Sequence, residues 1–273
     1  MEHVLSLSYG KDSLACLGAI EQLGLPLDRI IHAEVWATDT IPADLPPMMD
    51  FKAKADAIIK ERWGITVEHI NTQTYEHYFY KVIGDKAIKQ REERIRNLEK
   101  LGKAHNYHNL IYGFPFQRGA WCNSKLKLAA LSRGQPKNAV VYIGIAADEP
   151  NRLHRLTETK RSPLVEAGWS EAMCREWCEK NDLLSPIYTN SARGGCWFCH
   201  NQSIEQLRLL RRNYPHLWEL LLKWDNDSPI TFKPNGCTVH DYDYRFQCED
   251  EGLIPTDATF KWAMLKGVQL KII

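Results

Sequence analysis

The chain has 273 residues, of which 44% are hydrophobic and 25% are charged, as in an ordinary water-soluble globular protein. Its formal net charge is +1, so the field of the whole molecule is too weak to hold a nucleic acid, which would need a local basic patch. The N-terminus lacks the pattern of a signal peptide, and no apolar stretch has the length of a membrane span. We therefore expect a cytoplasmic protein with no membrane partner.

The first 70 residues alternate between patterns typical of strands and of helices. Apolar runs indicate strands, and apolar residues at helical spacing indicate the helices between them. The predicted elements, in chain order, are strand 3–8, helix 13–23, strand 30–36, helix 51–63 and strand 65–70. This order predicts the α/β fold class, with a parallel twisted sheet flanked by helices, as in Rossmann-like proteins.

The remainder of the chain continues this pattern and then changes. The charged segment 81–108 is interpreted as a solvated helix, and a basic arm that contacts a polyanion is the alternative. Further predicted elements are helix 124–131, strand 139–145, a helix that ends near 181 with Ser170 as its N-cap, and helix 204–223. We place a boundary between a nucleotide-binding domain, 1–186, and a Cys-containing, mainly helical region, 187–273.

The turn between the first strand and the first helix has the composition of a phosphate-binding loop. Gly10 permits close approach of an anion, and Ser8 and Ser13 supply hydroxyl donors. Lys11 could neutralise charge on a leaving pyrophosphate, so Lys11, Asp12 and Ser13 are the candidate catalytic residues. Asp12 is interpreted as a residue of the helix start or an indirect magnesium ligand.

The segment from Ser6 to Ser13 (SLSYGKDS) is not a Walker A loop, because it has one glycine and its lysine is followed by aspartate. It resembles the S-G-G-x-D-S signature of the PP-loop ATP pyrophosphatase superfamily. Tyr9 stands where that signature has its first glycine. The resemblance implies that Ser6, Ser8, Tyr9 and Gly10 contact the nucleotide, and that ATP and Mg²⁺ are bound.

Later segments resemble the phosphoadenosine phosphosulfate (PAPS) reductase-like branch of this superfamily. They are VWATDT at 35–40, AWCNSKLK at 120–127, GIAADEPNR at 144–152 and SPLV at 162–165. The resemblance spans about residues 3–187. It implies a nucleotide site with these further members: Asp39, Lys125, Gly144, Asp148, Glu149 and Arg152.

The second candidate site is a cysteine cluster. Cys196 and Cys199 form a Cys-x-x-Cys motif behind two glycines, a turn that lets two thiolates converge on one metal. Cys122 is a candidate third ligand, and the fourth position is either Cys237, His200 or an open site. An iron–sulfur cluster, zinc and a free dithiol remain open, in that order of preference. The other cysteines considered are interpreted as core residues: Cys16, Cys174 and Cys178.

The resemblance implies an ATP pyrophosphatase that forms AMP and pyrophosphate and adenylates an acceptor for sulfur incorporation. The expected setting is thio-modification of nucleic acid, such as DNA phosphorothioation or tRNA thiolation, with a cysteine desulfurase or another sulfur donor as partner. The alternatives are a PAPS reductase-like enzyme and a non-catalytic nucleotide-binding subunit, and a homodimer is possible. No segment matches the E-C-G-x-H motif that carries the reductases' catalytic cysteine. The arginines Arg208, Arg211 and Arg212 are either a solvated face or a nucleic-acid patch.

Overall fold

A computed structural model describes residues 1–85, 88–89, 92, 96, 110–115, 120–190 and 195–256, so most of the predicted 81–108 insertion lies outside the described residues. The chain forms two compact units. The sheet unit comprises Met1–Tyr75 and Trp121–Cys196, and the helical unit comprises Glu76–Ala120 and Trp197–Ile273. This division differs from the predicted boundary at 186/187 because residues 76–120 group with the C-terminal part of the chain, a long-range association that local patterns do not reveal.

The sheet unit contains a parallel sheet. Its strands are β1 (His3–Leu7), β2 (Arg29–Ala33), β3 (Val67–Ile70), β4 (Val140–Tyr142) and β5 (Lys160–Arg161). Within the described residues, their order is β3-β2-β1-β4-β5, and every neighbouring pair is parallel. Helices connect the strands, which confirms the predicted α/β class. The strands are shorter than predicted, because the apolar runs continue into loops beyond the paired backbone.

Helices of the sheet unit follow the strands. They are α1 (Lys11–Leu23), α2 (Pro46–Trp63), α4 (Ala129–Gly134), α5 (Pro163–Ala167), α6 (Glu171–Lys180) and α7 (Ile187–Asn190), and α3 (Tyr75–Phe79) begins at the boundary of the units. A π-helical segment, Asn123–Leu128, precedes α4, and a 3₁₀ turn spans Pro150–Arg155. Ser170 caps α6, as predicted, by accepting a hydrogen bond from the Met173 N–H.

The core of the sheet unit lies around α1, which packs against α5 and α6. Leu14, Leu17 and Ile20 are buried on this helix, at the helical spacing that predicted its apolar face. Gly18 allows α6 to approach closely, since a Cβ there would lie 2.4 Å from the Trp177 ring. Packing of residues 13–20 therefore fixes the position of α1.

The described helices of the C-terminal part are α8 (Ile204–Asn213), α9 (Pro215–Asp227) and α10 (Val239–Asp250). The single helix predicted over 204–223 is wrong, because Pro215 divides it. Tyr214 leaves the helical region with φ −136°, as a residue before proline tends to do. Within the described residues, no helix is both long enough and apolar enough to cross a bilayer.

The ion pairs of the helical unit correct the predicted arginine patch at Arg208 and Arg211, whereas Arg212 is exposed. Arg208 is buried and donates to Glu249, and it also pairs with Glu205. Arg211 donates to Asp243 and Asp250 at 2.8 and 2.6 Å. Guanidinium groups held in this way are structural members of the unit, so they do not form a solvated cationic surface for phosphate groups.

Candidate functional site

The loop after β1 lies at the point where the strand order reverses. β1 pairs with β2 on one side and with β4 on the other, so the connections after β1 and β4 diverge at the carboxyl edge of the sheet. Open α/β sheets bind ligands in the crevice at such a switch point. Gly144, just after β4, meets the start of α1 here. A Cβ at Gly144 would lie 2.6 Å from the Ser13 nitrogen and 2.8 Å from the Asp12 carbonyl carbon.

Hydrogen bonds inside the loop give it a fixed shape. The Ser13 hydroxyl accepts from the Ser8 N–H at 3.1 Å and from the Ser8 hydroxyl at 3.0 Å, and it donates to the Gly10 carbonyl at 2.9 Å. Ser13 is only 5% exposed. Its hydroxyl therefore braces the loop. Gly10 is the N-cap of α1, and the Lys11 N–H donates to the Tyr188 hydroxyl at 3.0 Å.

Lys11 lies among carboxylates at the start of α1. Its ammonium is 2.6 Å from Asp12 Oδ1 and 3.5 Å from Glu171 Oε2. Burial acts to lower the pKa of Lys11, but the hydrogen bond and charge of Asp12 outweigh it and raise the pKa above its ordinary value. Carboxylate oxygens of Asp12, Glu149 and Glu171 also lie within 4.8 Å of one another. Such oxygen donors suit Mg²⁺, which is usually bound by one or two carboxylates and substrate phosphates.

The segment after β4 contains several predicted site residues, which lie near the carboxylates around Lys11. Glu149 accepts from the Ala146 N–H at 3.0 Å and pairs with Arg152 at 2.7 Å. An Arg152 N–H points at the Gly144 carbonyl, 3.5 Å away. Asp148 accepts from the backbone N–H of Glu171 at 2.9 Å, which stabilises the first turn of α6. The structure thus places a guanidinium and two carboxylates close to Gly144 and the loop.

Three residues that were predicted to contact the nucleotide do not belong to the charged cluster around Lys11. Ser6 lies within β1, in register with Ile31. Asp39 is exposed in a turn after β2 that is closed by the Ala37 N–H donating to the Ile41 carbonyl. The Lys125 side chain is exposed on the π-helical segment. Roles for these residues in nucleotide binding remain predictions.

Tyr9 has an unusual backbone and a buried side chain. Its φ is 56°, a left-handed conformation that costs a non-glycine residue about 1–2 kcal/mol. Its side chain is 0% exposed, and its hydroxyl lies 2.5 Å from Asp56 Oδ1 and 3.1 Å from His69 Nε2. The ring meets the edge of His32 with centroids 4.8 Å apart. Tyr9 therefore anchors the loop to α2 and β3.

A network of charged groups that the sequence did not predict surrounds Tyr9. Lys52 is buried, with its ammonium 2.9 Å from His32 Nε2 and 2.5 Å from Asp44 Oδ2. Nitrogen and oxygen atoms of His32, Glu34 and His69 lie within 4.8 Å of one another, a spacing that could suit a metal. The Lys52 ammonium lies 2.9 Å from His32 Nε2 and 3.7 Å from Glu34 Oε1, so these side chains form an ion-pair network around Tyr9.

The two histidines of this network differ in protonation at neutral pH: His32 is neutral and His69 is a cation. His32 Nδ1–H donates to the Leu7 carbonyl at 2.9 Å, and burial and the Lys52 charge lower the pKa of His32 to about 3. Hydrogen bonds to Asp56 and Glu34 raise the pKa of His69 to about 9. His32 and His69 are in register on β2 and β3. Two histidines near the ends of consecutive predicted strands were the available signal for this network.

The cysteines of the predicted metal site are distributed over both units. Cys122 precedes the π-helical segment, and Cys196 is the last residue of the sheet unit. In the helical unit, Cys199 and Cys237 lie near Lys233, whose pKa is lowered to about 8 by burial while the charges of the two cysteines act to raise it. The metal centre remains a prediction. The cysteines assigned to the core, Cys16, Cys174 and Cys178, are each fully buried.

Comparisons with known proteins give limited similarity. No family model matches the chain. The uncharacterized protein MJ0066 of Methanocaldococcus jannaschii is 25% identical over 164 residues, which cover 50% of this chain and 33% of that protein's length. The solved structure of the U34-tRNA thiolase NcsA from Methanococcus maripaludis, with its 4Fe-4S cluster, is 12% identical, and the similarity covers 90% of this chain and 72% of that chain. Its TM-score is 0.32, too low to transfer a structure or a function.

Proposed function

We propose that the sheet unit binds ATP with Mg²⁺ at the Ser8–Ser13 loop and cleaves it to AMP and pyrophosphate. The observation that carries this proposal is the backbone contact of Gly144 with the start of α1 at the switch point of the sheet. Gly144 lies directly against the backbone of the first turn of α1, where a side chain would not fit, so the contact fixes the position of the Asp12 and Ser13 N–H groups. Helix N-termini of this kind bind phosphate groups through N–H donors and the helix dipole.

The charges around the loop fit a triphosphate and its metal. Lys11 stays cationic at neutral pH, because Asp12 raises its pKa. Asp12, Glu149 and Glu171 offer oxygen ligands of the kind that Mg²⁺ prefers, and Arg152 adds a cation beside them. Bound Mg²⁺ would supply charge neutralisation for the phosphate oxygens. The carboxylates and the cations therefore have complementary tasks in one small region.

The reaction proposed for this site is adenylation of an acceptor. An acceptor oxygen attacks the α-phosphorus of ATP, and the bond from that phosphorus to the bridging oxygen of the β-phosphate breaks. The products are an adenylated acceptor and pyrophosphate, whose developing charge Lys11 and the N–H groups of α1 stabilise. Sulfide, which a thiol reductant releases from the donor's persulfide, then attacks the activated carbon or phosphorus, and AMP leaves. We propose tRNA or DNA as the acceptor and a cysteine desulfurase or another sulfur donor as the partner.

The products of ATP cleavage test the proposed reaction. With tRNA or duplex DNA and a sulfide source supplied, we expect AMP and pyrophosphate, measured by anion-exchange chromatography. Lys11→Ala removes the cation nearest the leaving group and should lower turnover by about 10²-fold, as for a lost oxyanion donor. Lys180→Ala is the matched control, since this exposed lysine pairs with Glu176 on the outer face of α6. ADP as the main product, or equal turnover in the two variants, would contradict the proposal.

The predicted metal centre is tested separately by metal analysis. Thiolates at Cys122, Cys196, Cys199 and Cys237 would suit an iron–sulfur cluster or zinc, and such a centre would supply a binding site for sulfide or a structural cross-link. After anaerobic purification, we expect Cys196→Ser and Cys199→Ser to lose the metal, measured by elemental analysis and the visible absorption spectrum. Cys174→Ser, a fully buried cysteine of the core, is the control and should retain it. Full metal content in Cys199→Ser would rule this centre out.

A further inference from the structure

The backbone at residue 9 adopts a conformation that favours glycine. Tyr9 has φ 56°, between the end of β1 and the N-cap Gly10 of α1. L side chains rarely adopt this region, because the Cβ approaches the following carbonyl oxygen. The turn that leads into the phosphate loop nevertheless requires it. Something outside the local backbone must therefore stabilise Tyr9 in this conformation.

The stabilising contacts come from the side chain. Asp56 on α2 receives two donors, the Tyr9 hydroxyl on Oδ1 at 2.5 Å and His69 Nε2–H on Oδ2 at 2.8 Å. The Tyr9 ring is fully buried, with the Lys52 ammonium 5.4 Å from its centroid. Burial raises the pKa of Tyr9, so its hydroxyl stays protonated and donates to Asp56 at every ordinary pH. The tyrosine is thus joined to a carboxylate on α2, an element outside the loop.

We propose that Tyr9 is a positioning residue of the phosphate loop. A glycine could adopt the left-handed conformation here freely, whereas Tyr9 is held in it by the hydrogen bond from its buried side chain to Asp56. This inference rests on the proposed function. The anchor holds the turn that starts α1, and so it fixes the direction of the N–H groups at residues 10–13. Tyr9 acts through the backbone and does not need to touch the nucleotide itself.

The anchor should respond to pH through His69. Its ring lies against the Tyr9 and His32 rings, and its nitrogens lie close to Glu34 and Asp56. Lys52 lies next to both of these rings, over Tyr9 and beside His32. His69 is a cation at neutral pH, because its hydrogen bonds to Asp56 and Glu34 raise its pKa to about 9. A raised pKa means that the stabilisation is complete below the ordinary value for histidine and is lost as pH rises through about 9.

Two measurements on Tyr9→Phe test the anchor. This variant keeps the ring and removes the hydroxyl, and a hydrogen bond to a charged group is commonly worth about tenfold in an equilibrium constant. We expect the affinity for Mg-ATP to fall by about tenfold in titration calorimetry. Without nucleotide, we expect the amides of residues 10–13 to exchange with solvent faster than in the wild type. Tyr142→Phe is the control, since it removes a buried hydroxyl bonded to His3 on the same sheet.

Comparison with His69→Gln gives the pH signature. Wild-type affinity should fall as pH rises through about 9, whereas the profile of His69→Gln should lack this step. Both proteins contain Lys11, so titration of that lysine is common to the two profiles. Unchanged exchange at residues 10–13 in Tyr9→Phe overturns the positioning role, whether or not ATP binds. Unaltered ATP affinity in Tyr9→Phe also overturns it and leaves the proposed function standing, whereas failure of the wild type to bind ATP refutes the proposed function.

Discussion

Gly144→Ala should reduce ATP affinity by about 10- to 100-fold. The new methyl group would lie 2.6 Å from the Ser13 nitrogen and 2.8 Å from the Asp12 carbonyl carbon, both backbone atoms that cannot rotate away. Forcing a methyl group into such a contact costs about 1–3 kcal/mol, and each 1.4 kcal/mol is tenfold in affinity. The strand or the loop must shift, and either shift misplaces the N–H groups at the start of α1.

Substitutions at two other glycines distinguish a loss of ATP affinity from a general loss of stability. Gly84→Ala places its methyl group where no atom of the described residues lies within 4 Å, so binding and stability should both stay as in the wild type. Gly18→Ala places a methyl group 2.4 Å from the Trp177 side chain in the core, so it should lower the melting temperature. ATP binding is measured by calorimetry below the melting temperature of each variant. If the Gly144→Ala protein is folded and binds ATP like the wild type, the proposed position of the ATP site at the switch point is wrong.

The fold of the sheet unit could be predicted because its signals are local. A strand, a glycine turn and a helix with apolar residues at the right spacing follow one another between residues 3 and 23, and the structure has them there. The next strands repeat the signal, and a sequence of alternating elements leaves few topologies besides a parallel sheet. The Ser170 cap is local in the same sense, since it depends on a bond to a residue three positions away.

The parts that were missed depend on partners far apart in the chain. Tyr9 and Asp56 are 47 residues apart, and nothing near Tyr9 in the sequence indicates that a carboxylate will satisfy its hydroxyl. The sequence alone therefore presents Tyr9 as a departure from a glycine motif and as a predicted nucleotide contact, and it does not indicate the anchor. Arg208 and Glu249 are 41 residues apart, so a run of arginines on a predicted helix was open to interpretation as a nucleic-acid patch. Charge patterns along a helix do not distinguish a solvated arginine from a buried, paired one.

Glu249→Ala should destabilise the helical unit by about 3–5 kcal/mol, the cost of removing one partner from a buried ion pair. Glu249 is 2% exposed in its side chain and lies between Arg208 and Arg245, with donor distances of 2.6 and 2.7 Å. Arg245 is 0% exposed, so the variant removes a carboxylate from the surroundings of a buried guanidinium. We expect lower resistance to urea, and faster hydrogen exchange in peptides covering 239–250.

The pH dependence gives this prediction a second readout. Burial acts to raise the pKa of Glu249, but the hydrogen bonds from Arg208 and Arg245 outweigh it and hold the pKa below its ordinary value. For a lowered pKa, the stabilisation is present above the ordinary glutamate value and is lost as pH falls through the lowered one. The difference between the wild type and Glu249→Ala should therefore shrink in acid.

Glu205→Ala is the matched control, because it removes a carboxylate that pairs with the same Arg208 but is 60% exposed. A surface pair of this kind contributes about 1 kcal/mol or less. If the two variants were equally stable, Arg208 would not depend on a buried partner, and its place in the core would be wrong. The same argument changes how Arg208→Glu must be interpreted. Reversing this charge puts two carboxylates together in a buried site, so loss of nucleic-acid binding in that variant would report unfolding of α8 and α10.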